Sequence, residues 1–244
     1  MQYHIQHFDE LDSTNQEAMR QAMSGAHEGL VVVAKTQTAG KGRLGRTWHT
    51  IDQALAMTIL LRPNIQALDV PKMSLLAGVA AHEALSLFVP QVGIKWPNDL
   101  LIHGKKVSGI LTEMRCESTN VQAVVIGLGI NISRPETIWP EDIQQAATDL
   151  STAAGKIIKK EDVLTAVLES LDVWYARFLQ EGFAPIHQAW WDAHVASGEK
   201  VRVFDGNDYI EGIAIALAKD GALCLLVNGK EQRIIAGDVS LMDK

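Results

Sequence analysis

Residues 30–61 read LVVVAKTQTAGKGRLGRTWHTIDQALAMTILL, two apolar runs joined by a segment rich in glycine and cations. The runs at 30–34 and 54–61 do not alternate with polar residues, which predicts strands buried on both faces. Between them, residues 40–48 contain three glycines, three cations and one tryptophan. Glycine lets the backbone approach a ligand closely, and clustered cations repel one another until an anion neutralises them. This segment, the glycine loop, is therefore predicted to wrap a small anion such as a phosphate.

The glycine loop has two other interpretations. Residues 40–45 also fit the pattern G-x-G-x-x-G of dinucleotide-binding folds. That pattern needs a helix directly after the loop, because the pyrophosphate binds at the helix N-terminus. Here Arg46-Thr47-Trp48-His49 leads into another predicted strand, so a dinucleotide site is disfavoured. An ordinary solvated surface loop is the remaining alternative, and three glycines and a tryptophan among the charges argue against it.

The composition limits the class of protein. The chain has 244 residues, 47% of them apolar, which is enough for one large domain and a small one. A net charge of -7 argues against a broad nucleic-acid-binding surface. No apolar run approaches the length of a membrane span, and the N-terminus shows no signal peptide. Cys116 and Cys224 match no metal-binding spacing, so we expect a cytoplasmic protein without a disulfide framework.

Helix and strand signals along the chain predict an α+β fold. Ser13 or Thr14 begins a helix, because Ser13-x-x-Gln16 and Thr14-x-x-Glu17 both fit the capping box. Further helices are predicted at 71–88, 162–179 and 185–193. Further strands are predicted at 3–8, 92–96, 100–102, 107–114 and 121–132.

The last part of the chain, from about Gly198, has a different sequence pattern. Short alternating runs are broken at Asp220-Gly221 and Asn228-Gly229, which are strong hairpin signals, and at residues 205–208. These turns predict a small antiparallel barrel.

The cations of this acidic chain are concentrated in a few short segments, which favours a small anionic ligand: Lys35, Lys41, Arg43, Arg46, Lys95, Lys105 and Lys106. A second group of polar residues, Lys95-Trp96-Pro97-Asn98-Asp99, is followed by a predicted hairpin turn at residues 103–106. A hairpin would aim either Lys105 or Lys106 at Asn98 and Asp99, where an ammonium could stabilise charge on a phosphate or carboxylate. The alternative is an ordinary turn with lysines that protect a sheet edge.

Five motifs in this order resemble those of biotin protein ligases: Ser13-Thr14-Asn15, the glycine loop ending in Trp48, Lys95 to Asp99, residues 104–111, and Gly127-Leu128-Gly129-Ile130-Asn131. The resemblance covers nearly the whole chain. It implies a catalytic domain at 1–196, with a mixed sheet packed against helices, and an SH3-like barrel at 197–244. The DNA-binding winged helix of bifunctional members would precede Tyr3, so a ligase without repressor activity and without a DNA partner is expected.

The resemblance also implies a reaction in two steps. Biotin's carboxylate attacks the α-phosphate of ATP, and a lysine of the biotin carboxyl carrier protein of acetyl-CoA carboxylase then attacks the biotinyl-adenylate. Lys106 is the expected principal catalytic residue, and Arg43 holds the carboxyl and phosphate groups of the intermediate. The expected biotin-binding residues are Ser13, Thr14, Asn15, Gln37, Lys41, Gly42, Arg43 and Lys106. The expected nucleotide-binding residues are Arg43, Arg46, Trp48, Asn98, Asp99, Lys106 and Asn131.

Several further expectations follow from the resemblance. Mg²⁺ is expected to accompany ATP, with possible help from Asp99. Residues 38–49 are expected to be poorly ordered without ligand and folded over the adenylate with it. Lys41 stands where the family often has Arg, which loses a bidentate contact, and Lys160 replaces a usual helix N-cap. Members of the family occur as monomers and as homodimers.

Other functions remain open from the sequence. A lipoate or octanoate ligase shares the catalytic fold and the Lys-Trp-Pro-Asn-Asp turn, although the glycine loop and the C-terminal barrel favour biotin. A non-catalytic biotin sensor is a second alternative, which the joint presence of Arg43, Lys106 and Trp48 disfavours. For Trp48 itself, a place in the core is the alternative to stacking on adenine.

Overall fold

A seven-stranded mixed sheet forms the larger part of the structure, a computed structural model that describes residues 1–50, 53–133 and 146–242. Its order is β1-β2-β3-β7-β6-β5-β4, and β1 pairs with β2 in parallel while the other neighbours are antiparallel. The strands are β1 His4–Leu11, β2 Leu30–Gln37, β3 Ala54–Leu61, β4 Val92–Lys95, β5 Asp99–Ile102, β6 Lys105–Glu117 and β7 Asn120–Asn131.

Helices cover both faces of this sheet, as the two apolar runs predicted. The side chains of β3 point to the two faces in turn. Leu55, Met57 and Ile59 belong to the buried cluster that contains the helices at 70–86 and 160–181, whereas Leu60 packs with the first helix, at 14–23. The α-helices among the described residues are α1 Thr14–Met23, α2 Val70–Ser86, α3 Leu150–Ala154, α4 Lys160–Glu181 and α5 Ala184–Asp192. Within the described residues, no helix combines the length and the apolar character needed to cross a membrane.

A five-stranded antiparallel sheet follows in the order β11-β10-β9-β8-β12. The predicted turns at residues 205–208, 220–221 and 228–229 all join its strands. This small antiparallel C-terminal unit agrees with the prediction from the turns; β11 and β12 are its outer strands, and no ladder among the described residues joins them. The strands are β8 Lys200–Phe204, β9 Tyr209–Leu217, β10 Leu223–Val227, β11 Lys230–Ile234 and β12 Asp238–Leu241.

The two sheets share one hydrophobic core. Val201, Leu223 and Ile234 of the second sheet belong to the same buried cluster as α2 and α4. The Nε1 of Trp96 also donates to the carbonyl of Gly221 at 3.1 Å, which ties the turn after β4 to the β9–β10 turn. The predicted domain boundary at residue 196 stays a prediction, and the packing shows that the second sheet is an integral part of the core.

The structure confirms the predicted start of α1 at Ser13 and Thr14 and corrects two details of helix capping. Ser13 is the N-cap of α1, but its side chain makes no capping hydrogen bond, so the predicted capping box is wrong. The reason is burial: Ser13 and Thr14 lie against the sheet, and the Thr14 hydroxyl contacts Gln37 and a threonine of β3 instead. The longest helix begins at Lys160, which places Lys159 at the N-cap position.

Helix α5 and the edge strand β4 are joined by a buried histidine. His194 stacks on Trp190 with ring centroids 4.7 Å apart, and its Nδ1 lies 2.9 Å from the carbonyl oxygen of Ile94. Burial lowers the pKa of His194 from 6.5 to about 4, against the smaller opposite effect of the Ile94 hydrogen bond. The imidazole is therefore neutral in the folded protein at neutral pH.

We expect His194 to make folding stability depend on pH. Its pKa is depressed in the folded state, so the unfolded chain binds more protons between pH 6.5 and about 4. The free energy of unfolding should fall by up to about 3 kcal/mol from this residue as the pH drops through that window. Urea unfolding at pH 7, 5.5 and 4.5 measures the slope. His194→Asn, which keeps a donor near the Nδ1 position, should flatten it, and parallel profiles for the two proteins would contradict the assignment.

Candidate active site

A cleft opens on the α1 face of the large sheet, between the N-terminus of α1, the glycine loop and the β5–β6 hairpin. Of the thirteen residues that the sequence predicted for the site, twelve line this cleft: Ser13, Thr14, Asn15, Gln37, Lys41, Gly42, Arg43, Arg46, Trp48, Asn98, Asp99 and Lys106. Asn131 lies outside it; this side chain is buried, and its Nδ2 donates to the carbonyl of Thr148 at 2.9 Å.

Neutral hydrogen-bonding groups form the inner end of the cleft. The Nδ2 of Asn15 donates to the carbonyl of Leu111 at 3.1 Å and to the Glu113 carboxylate at 2.7 Å. The Oε1 of Gln37 accepts the backbone N–H of Thr14 at 2.8 Å. Because the side-chain amide of Asn15 is engaged with the protein, it shapes this end of the cleft, which Ser13 and Thr14 also line.

A carboxylate between two lysines marks the middle of the cleft. The Asp99 Oδ1 lies 2.5 Å from the Nζ of Lys106, and its Oδ2 lies 3.2 Å from the Nζ of Lys95. Leu100 pairs with Ser108 and Leu101 with Lys106, so a bulge interrupts the ladder between β5 and β6. Bulges redirect side chains, and here the result is that Lys106 points into the cleft.

Two arginines of the glycine loop contact the second sheet. The Nη1 of Arg43 donates to the Asn98 Oδ1 at 3.2 Å and lies 3.4 Å from the carbonyl oxygen of Gly237. Arg46 forms an ion pair with Asp238 at the start of β12. Burial lowers the pKa of Arg43, while Asp238 and Asp99 act in the opposite direction and the Arg46 charge adds to the lowering. The guanidinium remains charged, since arginine titrates far above neutral pH.

The indole of Trp48 lies directly on two glycines of the sheet. A Cβ added to Gly129 would meet the indole at 2.3 Å, and one added to Gly109 would meet it at 3.4 Å. The Nζ of Lys106 lies 5.8 Å from the centroid of the ring, within range of a cation–π contact. The Nε1 of Trp48 is buried without a hydrogen-bond partner among the described residues. The flat ring therefore forms a wall of the cleft next to the lysine.

The glycine loop folds as a tight turn over the cleft. Lys41 bridges to Thr47, and the N–H of Trp48 donates to the carbonyl of Gly40 at 3.0 Å. Leu44 and Gly45 at the tip have φ of 56° and 74°, in the left-handed region. A Cβ on Gly40 would meet the Trp48 carbonyl oxygen at 2.4 Å, so glycine is required there.

Several residues that line or support the cleft were not predicted from the sequence, and four of them bear on its geometry. Gly127 has no room for a side chain, because a Cβ would lie 2.2 Å from the Oδ1 of Asn15. Glu113 and Thr58 hydrogen bond with Asn15, and Asp238 closes the cleft from the second sheet. Alternating glycines within a strand signal a close backbone approach, so Gly127 and Gly129 could have been predicted as contact points. The other three depend on long-range packing.

The acids of the cleft do not form a metal site of their own. In residues 1–50, 53–133 and 146–242, there is no group of three or more His, Cys, Asp or Glu residues placed to hold a metal ion. Asp99 is already paired with Lys95 and Lys106. The expected help of Asp99 in holding Mg²⁺ with ATP stays a prediction.

We expect Gly129→Ala to open the glycine loop. The new methyl group would collide with the Trp48 indole, so the indole could no longer pack on the sheet at this position. Loops that lose such contacts open more often, so trypsin should cut after Lys41, Arg43 or Arg46 several-fold faster, as followed by mass spectrometry. Gly78→Ala is the control, because its Cβ meets Trp190 at an ordinary distance of 3.5 Å and should leave cleavage unchanged. Equal cleavage rates in the wild type and Gly129→Ala would show that packing of Trp48 on Gly129 does not hold the glycine loop closed.

Comparison with known proteins agrees with this geometry. The Biotin/lipoate A/B protein ligase family matches residues 8–131, and the Biotin protein ligase C terminal domain matches residues 196–242. The bifunctional ligase/repressor BirA of Bacillus subtilis is 37% identical over 243 residues, which cover 99% of this chain and 75% of that protein. The biotin–[acetyl-CoA-carboxylase] ligase of Paracoccus denitrificans is 34% identical over 93% of this chain and 96% of that protein.

Solved structures show the same fold. The biotin protein ligase from Aquifex aeolicus in complex with biotin and ATP has a TM-score of 0.83 and 29% identity, and the match covers 98% of this chain and 99% of that chain. The sequence matches extend across both sheets, the large sheet with the cleft and the small C-terminal one. The chain therefore belongs to the biotin/lipoate A/B protein ligase family and, within it, is a biotin protein ligase.

Proposed function

We propose that this protein activates biotin with ATP to biotinyl-5′-AMP and transfers the biotin to a lysine of a biotin carboxyl carrier protein. The observation that carries the proposal is the meeting of Arg43, Lys106 and Trp48 in one cleft whose inner end is neutral and polar. Relatives named biotin–[acetyl-CoA-carboxylase] ligase, and a neighbour bound to biotin and ATP, support the same reaction and the acetyl-CoA carboxylase carrier.

The two ends of the cleft suit the two ends of the reacting pair. A buried urea needs both donors and acceptors, which Ser13, Thr14 and Gln37 supply at the inner end. The carboxylate and the triphosphate repel each other, so cations must neutralise both before the carboxylate oxygen can attack the α-phosphorus and expel pyrophosphate. Arg43, Arg46 and Lys106 supply that charge. Lys41 and Gly42 also line the cleft, and their proposed role is to contact biotin.

Lys106 is the proposed principal catalytic residue. Its partner Asp99 is shared with Lys95, so Lys106 can turn toward a phosphoryl oxygen while Asp99 keeps a counter-ion. An ammonium placed where negative charge develops stabilises the transition state and needs no proton transfer. In the second step the amine of the carrier lysine attacks the acyl carbon, and AMP leaves with the bonding electron pair.

The planar groups of the cleft have separate roles. The Arg43 fork is held by Asn98 and Gly237, so its remaining N–H groups are oriented to bind the carboxyl and phosphate oxygens together. The exposed face of Trp48 is proposed to stack on adenine. Mg²⁺ is proposed to enter with ATP, bound by phosphate oxygens and water. Asn131 stays a predicted nucleotide residue, from a position outside the cleft.

A direct assay tests the proposed function. Biotin-dependent exchange of labelled pyrophosphate into ATP reports the first step, and a mass increase of a biotin carboxyl carrier domain reports the second. We expect both activities with biotin and neither with lipoate or octanoate. Exchange that depends on lipoate would identify a lipoate ligase, and biotin binding without exchange would identify a sensor.

We expect Lys106→Ala to lower the rate of biotin-dependent exchange by about 100- to 1000-fold, because removing one preorganised group at developing charge has an effect of this size. Lys105→Ala is the matched control, since Lys105 is the exposed neighbour on the same hairpin and should keep full activity. Thermal unfolding of both variants checks that the fold is intact. Full exchange activity in Lys106→Ala would remove the assignment.

Other predictions from the sequence remain to be tested in the same preparation. They are a cytoplasmic location, the lack of a DNA partner, a homodimer as one possible state, and ordering of residues 38–49 by the adenylate. Protection of the glycine loop from trypsin by biotin and ATP together would support the last of these.

A further inference from the structure

We propose that Thr58, a buried residue of β3 that was not among the predicted site residues, is a positioning residue for biotin recognition. It acts by directing the hydroxyl hydrogen of Thr14 away from the cleft. The inference rests on the proposed function, because it concerns the site assigned there to the ureido group. Four side chains beneath the cleft share a limited number of hydroxyl hydrogens.

Four side chains form a continuous line of oxygen contacts beneath the cleft. The Thr58 Oγ1 lies 2.7 Å from the Asn15 Oδ1 and 2.8 Å from the Thr14 Oγ1. The Thr14 Oγ1 in turn lies 3.1 Å from the Gln37 Oε1. These three contacts between oxygens have two hydroxyl hydrogens to share, because each threonine supplies one. One contact must therefore lack a hydrogen.

The orientation of Asn15 decides where one hydrogen goes. Its Nδ2 faces the carbonyl of Leu111 and the Glu113 carboxylate, which are both acceptors, so the Oδ1 must be the atom that faces Thr58. An amide oxygen cannot donate, and Thr58 is 0% exposed, so water does not replace the missing donor. The hydroxyl of Thr58 therefore donates to Asn15.

The second hydrogen follows from the first. With its own hydrogen used, the Thr58 oxygen can accept, and the Thr14 oxygen at 2.8 Å is in place to donate to it. The Gln37 Oε1 needs no hydroxyl hydrogen, because it already accepts the backbone N–H of Thr14 at 2.8 Å. The longest of the three contacts is thus the one without a hydrogen. The acceptors on Asn15, Thr58 and Gln37 are then satisfied, and the lone pairs of the Thr14 hydroxyl stay open.

The consequence lies in the cleft. With its hydrogen turned toward Thr58, the Thr14 hydroxyl presents lone pairs to a ligand and can accept an N–H of a cyclic urea. Without the Thr58 hydroxyl, the Thr14 hydroxyl would donate its hydrogen to Gln37 or point it into the cleft. A hydrogen that points into the cleft would oppose an N–H group of the ligand. Thr58 thus makes the Thr14 hydroxyl an acceptor toward the cleft, and it does so without contacting the ligand itself.

The test compares Thr58→Val, which has nearly the same shape without the hydroxyl, with Thr58→Ser, which restores it. Loss of one neutral hydrogen bond predicts roughly tenfold weaker biotin binding in Thr58→Val by titration calorimetry. The KM for biotin in the exchange assay should rise similarly, with the KM for ATP unchanged. Thr58→Ser should bind biotin within about twofold of the wild type.

Thr112→Val is the matched control. The Thr112 hydroxyl is also buried, on β6, which β7 separates from β3, and it has no hydrogen-bond partner among the described residues. Its removal should leave biotin binding unchanged. Should Thr58→Val fail to fold by thermal unfolding, Thr58→Ala removes the same hydroxyl and gives the same readout.

Two results would overturn the inference while leaving the proposed function in place. The first is wild-type affinity for biotin in both Thr58→Val and Thr58→Ala. The second is a loss in Thr58→Ser as large as that in Thr58→Val, which would indicate a packing effect. A wild-type protein that binds no biotin would instead remove the proposed function, and the inference with it.

Discussion

Close approach to the bare backbone of β7 is the constraint on which the site depends. At Gly127 and Gly129 there is no room for a side chain, because the Asn15 amide and the Trp48 indole occupy the positions where a Cβ would be. The N-terminus of α1 and the glycine loop therefore rest directly on the sheet. A fully hydrogen-bonded sheet is a rigid support, so both elements hold their side chains at defined positions around one cleft.

Electrostatics organises the outer half of the cleft. Its cations are not left to repel one another, because each shares an acid or a carbonyl: Asp99 pairs with Lys95 and Lys106, and Asp238 pairs with Arg46. Lys106 and Arg46 are the more exposed partners in their pairs, so each can turn from its carboxylate toward a phosphate. Asp238 belongs to the second sheet, so the small sheet contributes to the cleft as well as to the core.

Much of the fold could be predicted, and the exceptions have physical causes. The uninterrupted apolar runs of β2 and β3 required helices on both faces of a sheet, and the glycine dipeptides of the C-terminal part required hairpins. The capping box at Ser13 was wrong, since Ser13 is the N-cap but its buried side chain makes no capping hydrogen bond. The short helix α3 has too few residues to show a period.

The sequence alone determined the chemical inventory: a glycine loop with three cations, a lysine beside an Asn-Asp turn, and the order of motifs shared with biotin protein ligases. These are local, since spacing and residue type are written in neighbouring positions. Only the tertiary structure decided that a bulge turns Lys106 rather than Lys105 into the cleft, that Asp238 joins it from the other sheet, and that Thr58 and Glu113 orient Asn15. Several of these contacts join residues that are forty or more positions apart, such as Thr14 and Thr58. No local sequence pattern encodes contacts of this kind.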